Sequence, residues 1–138
     1  MNTTTKLLAA ITAVAVCYLA AVETRAQDID SMPPVVVKTV PESGATDVAP
    51  GVVEIKVTFS KEMADRSWSW CYAWQGSIAE SAGDIRYEGD HKTCLWKVKL
   101  EPHKTYAYWL NTTKLQNFRD KQGHPAVPYL LVFQTKGN

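Results

Sequence analysis

Val53-Glu54-Ile55-Lys56-Val57-Thr58-Phe59 alternates apolar and polar residues without a break. Successive side chains of a strand point to opposite faces, so this heptapeptide predicts a β-strand with Val53, Ile55, Val57 and Phe59 buried and Glu54, Lys56 and Thr58 in water. Upstream, the β-branched run Val35 to Val40 stops at Pro41, and Pro41-Glu42-Ser43-Gly44 reads as a turn. Downstream, Ser60 to Asp65 is expected to form a short helical turn, Trp68 to Trp74 alternates again, and Gly76 to Gly83 reads as a loop. Asp84 to Tyr87 is a short strand, and Cys94 to Leu100 is another, with Lys97 and Lys99 on its outer row. Tyr106 to Leu110 and Pro128 to Thr135 complete the set, joined by the long connection Asn111 to Pro125. In the last strand Leu130 and Val132 share one face, and Tyr129, Leu131 and Phe133 the other. Short strands at this spacing, with no amphipathic helix of useful length, predict an all-β sandwich of two sheets and about seven strands.

The N-terminus has a different character. Lys6 precedes an apolar run from Leu7 to Val22, and Thr24 and Ala26 occupy the minus-three and minus-one positions of a cleavage site. This is the layout of a secretory signal peptide over residues 1–26, with cleavage near Ala26. The run of 16 residues is shorter than the ~20 that span a bilayer as a helix, so no membrane span is expected after cleavage. Val16 before Cys17 fits lipid attachment poorly. A secreted or periplasmic protein is expected, with a flexible lead-in over 27–33 and one folded domain over 34–138. Beyond Ala26 cations and anions are equal in number and no run of like charge occurs, which excludes a nucleic-acid partner.

Beyond the leader two cysteines remain, Cys71 and Cys94. In an oxidising compartment the simplest reading is one disulfide, contributing on the order of 3 kcal/mol in the chain-entropy model; the alternative is two buried thiols. Trp68, Trp70, Tyr72 and Trp74 form an alternating aromatic row, with Ser69, Cys71 and Ala73 on the opposite face. Two readings stay open for the row: packing in the core, or an exposed platform for a glycan or a protein. Its solvent exposure discriminates between them. Asp47, Asp65, Asp84 and Asp120 lie in or beside expected turns, where a carboxylate bonds local backbone. No nucleophile–base motif and no phosphate-cradling loop occurs, so no catalytic residue, enzyme activity or cofactor is expected. Asn111-Thr112-Thr113 spells a glycosylation sequon.

Several pieces resemble a known family. Pro34 to Pro41, Gly44-Ala45-Thr46-Asp47-Val48 and Ile55 through Phe59-Ser60-Lys61-Glu62-Met63 are similar to the opening of the bacterial Ig-like domains first recognised in the S-layer protein SbsA. Leu100-Glu101-Pro102, Thr105-Tyr106, Phe118-Arg119-Asp120-Lys121-Gln122-Gly123 and Phe133-Gln134-Thr135 follow in the family's order. The resemblance implies an Ig-like sandwich serving as a non-catalytic spacer or binding module, its partner an unknown protein or glycan of the cell envelope or extracellular space. His103 and His124 stand where the family's turns carry other residues. Gly123-His124 is also faintly similar to the periplasmic copper carriers of the copper-resistance protein C kind, in which the N-terminal histidine completes the site. The expected mature terminus here is Gln27, and only Met32 and Met63 remain as thioethers, so no metal site is expected at His91, His103 or His124.

Overall fold

The computed structural model describes residues 27–138; the expected signal peptide lies outside them. Seven strands follow in order: β1 (Val36–Val40), β2 (Gly51–Phe59), β3 (Trp70–Tyr72), β4 (Glu80–Tyr87), β5 (Thr93–Leu100), β6 (Thr105–Leu110) and β7 (Tyr129–Gln134). They form a four-stranded sheet ordered β1-β2-β5-β4 and a three-stranded sheet ordered β3-β6-β7. All strand pairs are antiparallel. This is the partition of a constant-type Ig sandwich.

The chain changes sheets at Val40-Pro41, a cis peptide. Beyond it the backbone leaves β2 and runs beside β7: Gly44 N–H donates to the Val132 carbonyl, Gln134 N–H to Ala45 and Val48 N–H to Gln134. Val48 and Thr135 form a parallel bridge. One segment thereby closes one side of both sheets.

The alternation of β2 sets the core. Ile55, Val57 and Phe59 point inward beside Cys94, Trp96, Val98 and Leu100 of β5, and meet Tyr106, Tyr108, Leu110, Leu131 and Phe133 of the facing sheet. Burying each such large apolar side chain contributes about 1.5–3 kcal/mol. Two tyrosines carry polar tips into this core, and each is satisfied by backbone. Tyr106 Oη accepts the Glu101 N–H at 2.8 Å, a tyrosine corner across the β5–β6 turn, and Tyr108 Oη accepts the Ala79 N–H at 3.0 Å.

Three local expectations are corrected. Ser60 to Asp65 is not helical; it bends at Ser60 and Lys61, after which Met63 bridges Asp120 and Ala64 N–H reaches the Arg119 carbonyl. β4 begins at Glu80, inside the expected loop, because an edge strand with both sides wet carries no apolar alternation to mark it. β3 stops at Tyr72, because the buried Ser77 hydroxyl accepts the Ala73 N–H at 2.9 Å and turns the chain at Trp74.

Phe59-Ser60-Lys61-Glu62-Met63 and Phe118-Arg119-Asp120-Lys121-Gln122-Gly123 meet at one end of the sandwich. Lys61, 8% exposed, places Nζ 2.6 Å from Oδ2 of the fully buried Asp120. Its other two bonds, both 2.9 Å, go to the carbonyls of Asp30 and Met32. The expected lead-in is thereby tied to the domain, with Asp28 and Ser31 closing a turn inside it. Glu62 and Lys121 form a second, exposed ion pair beside the first.

Candidate interaction surface

The two sheets present chemically different outer faces. Outward positions follow from the register, being those that alternate with the core residues. On the four-stranded sheet they include Lys38, Glu54, Lys56, Glu80, Arg86, Lys97 and Lys99. Arg86 pairs with Glu54 at 2.9 Å and Lys56 with Glu88 at 3.4 Å. Of the apolar residues there, Leu95 is buried, while Val40 and Val52 stand exposed among the charges. This is a solvated, charged surface.

The three-stranded sheet carries no charge on its outer positions: Cys71 on β3, Thr105, Ala107 and Trp109 on β6, and Leu130, Val132 and Gln134 on β7. Trp109 is the centre, opposite Cys71 on one side and Leu130 on the other, and all three are half-buried. An antiparallel sheet with one face on the core ordinarily turns polar residues to water on the other. Here both faces of β6 and β7 are largely apolar.

The aromatic row does not survive as a unit. Trp70 turns inward and packs against Trp96 (ring centroids 5.4 Å), Phe118 (5.6 Å) and Tyr108 (5.8 Å). Trp68 is half-buried and leans on Tyr87 at 6.5 Å. Tyr72 and Trp74 are 65% and 50% exposed. Tyr72 shares the inner side by register with Tyr108, yet it lies at the sheet's open edge, and Trp74 lies past the end of the strand. The four residues therefore do not form one platform: Trp70 packs in the core, while Tyr72 and Trp74 are exposed to solvent.

The expected Cys71–Cys94 disulfide is replaced by two free thiols. Cys94 belongs to the core row of β5, whereas Cys71 alternates with the inward Trp70 and so faces out from the opposite sheet. Burial pushes the Cys94 thiol up to about 12, and burial also raises Cys71. The Trp70 indole N–H is buried without an acceptor of good geometry. It leans on the Cys94 sulfur, a weak contact that only moderates the effect of burial on that thiol.

The histidines do not converge. His124 Nδ1 lies 2.9 Å from Asp120 Oδ2, while His91 and His103 sit in separate turns with positive φ. Among the described residues no group of three or more His, Cys, Asp or Glu side chains is arranged to hold a metal. Asn111, the sequon residue, is fully buried: Nδ2 donates to the Phe118 and Ala126 carbonyls, and Oδ1 accepts the Phe118 N–H.

Trp109 was not singled out by sequence reading, which looked for a patch within one strand. The available signal was the absence of a polar row in Tyr106 to Leu110 and in Tyr129 to Phe133.

A family model described as a bacterial Ig-like domain matches residues 30–135. No curated protein and no solved structure matches the chain.

Proposed function

Since the chain belongs to the bacterial Ig-like domain family, we propose that it acts outside the cytoplasm as a non-catalytic module that meets a protein partner through the outer face of β3-β6-β7. The observation that carries this reading is the asymmetry between the two outer faces. Trp109, Leu130 and Val132 on this face are each half-buried, and the apolar surface they leave in water favours burial against a partner. Tryptophan at the centre of such a surface is the residue type that most often dominates binding energy. The charged face of the other sheet suits solubility. Export rests on the leader-like residues 1–26.

The test is comparative. Leu130→Lys and Trp109→Arg place a cation on the uncharged face, whereas Lys97→Glu changes the opposite face. Pull-downs from envelope extract with folded proteins are expected to lose a retained partner with the first two variants and keep it with the third. Loss through Lys97→Glu alone would place the contact on the wrong sheet, and no difference among the proteins would leave a spacer rather than a binding module.

A further inference from the structure

A second surface lies at the β4 edge of the sandwich and shares no residue with the uncharged sheet face. In β4 the pairing with β5 slips between Ser81 and Ile85. Gly83 sits within this bulge, where an added Cβ would approach the Lys97 side chain at 3.2 Å. A bulge bends its strand and leaves part of the partner strand uncovered. Opposite it is Trp96, an inward core residue that keeps 9% of its surface exposed and donates its indole N–H to Ser81 Oγ at 3.1 Å.

The result is a shallow, open groove of about 680 Å³. Trp68 and Trp96 supply its aromatic lining, Ile85 adds an aliphatic wall, and Arg66, Ser81 and Asp84 stand at its rim. Arg66, Ser81 and Asp84 are exposed. Among the described residues the side chains of Arg66 and Asp84 make neither an ion pair nor a hydrogen bond, while Arg86, which also lines the groove, is neutralised by Glu54. The groove thus offers an unengaged planar donor and an unengaged acceptor, with their charges balanced, beside the half-buried Trp68 indole and the small exposed part of Trp96.

We propose that this groove binds a neutral oligosaccharide. Sugar rings have apolar C–H faces that stack on indoles and rims of hydroxyls that both donate and accept. A guanidinium with several N–H groups and a carboxylate with open lone pairs match that rim, and the open shape lets a chain continue past the bound rings. An anionic ligand would lack a counter-charge once Asp84 is counted. A peptide adding to the β4 edge would find its hydrogen-bond ladder interrupted by the bulge.

The experiment titrates the purified protein with cello-, xylo-, malto- and chito-oligosaccharides, following the indole N–H resonances by NMR. Saturable binding of at least one series is expected, with Trp68 and Trp96 among the shifted indoles. Asp84→Ala and Arg66→Ala, both at exposed positions that leave the core intact, each lose a direct hydrogen bond and are expected to weaken binding about tenfold. Trp74→Ala and Trp109→Ala, outside the groove, are expected to leave it unchanged. A flat response to every series overturns the proposal, as does binding lost with Trp74→Ala but retained by Asp84→Ala and Arg66→Ala. Binding of a uronate oligosaccharide with none of a neutral one also overturns it. The Trp109 result separates this groove from the sheet-face contact, whose failure leaves the groove unaffected.

Discussion

Lys61 and Asp120, 59 positions apart in the chain, form a buried ion pair at 2.6 Å in which the other bonding capacity of both groups is also used. Asp120 accepts from Lys61, from His124 Nδ1 and from the backbone N–H groups of Gln122 and His124. Lys61 adds two carbonyls of the lead-in. Burying two charges costs several kcal/mol per ion, and only such complete pairing offsets it.

Breaking the pair from one side leaves the other charge buried alone. Lys61→Met is expected to destabilise the domain by about 3–5 kcal/mol in urea unfolding, and to free Gln27 to Met32, seen as faster amide exchange there. Asp120→Ala is expected to cost at least as much, because two backbone N–H groups lose their acceptor as well. A cost below about 1 kcal/mol for both variants, the range of exposed pairs, would contradict the buried geometry.

The same carboxylate sets an acid limit. Burial disfavours the charged form of Asp120, but the hydrogen bonds from Lys61 and His124 outweigh it and hold its pKa below the ordinary value. Asp90 is lowered too, burial again opposing and the Lys92 and Thr93 bonds prevailing. A carboxyl group with a depressed folded pKa contributes stability that is complete above its unfolded pKa of about 4 and is lost as pH falls through the folded value. Unfolding midpoints measured downward from pH ~6 are expected to stay level until about pH 4 and then fall, less steeply in Asp120→Asn. A decline of equal slope in that variant would assign the acid sensitivity elsewhere.

Thiol chemistry distinguishes the two cysteines. Reductant is expected to leave the unfolding midpoint unchanged, and iodoacetamide to label Cys71 in the native protein, slowly because burial raises its pKa, and Cys94 only after unfolding. An intact mass lower by two hydrogens, restored by reductant, would instead reveal the disulfide.

Asn111 carries a sequon that its fold withholds. In a glycosylating host the folded domain is expected to leave Asn111 unmodified, read by mass spectrometry of its peptide. Asn111→Ala removes three side-chain hydrogen bonds to the Phe118 and Ala126 backbone, and the polar groups left unpaired are expected to cost at least about 1–3 kcal/mol in urea unfolding.

Tyr106→Phe addresses the tyrosine corner. The Glu101 N–H loses its acceptor, so a loss of about 1 kcal/mol or more is expected by thermal unfolding at unchanged circular dichroism. An unchanged midpoint would mean that solvent replaces the bond.

Sequence alone determined the alternating strands β2 and β5, the sandwich built from them and the family resemblance, because a period of two and the spacing of turn residues are written along one dimension. It also placed Asp120 beside a turn, where it bonds its own local backbone, whereas Asp84, expected beside a turn as well, lies inside β4. The partner of Asp120 was decided by tertiary structure, since Lys61 reaches it only when two distant segments meet. The same holds for the thiols, the uncharged sheet face and the Trp68–Trp96 groove. Alternation shows which residues share a side, as with Trp70 and Tyr72, but not which side is covered or where a strand stops. Those outcomes depend on the facing sheet, on Ser77 turning the chain after β3 and on the β4 bulge, all products of packing between residues far apart in the chain.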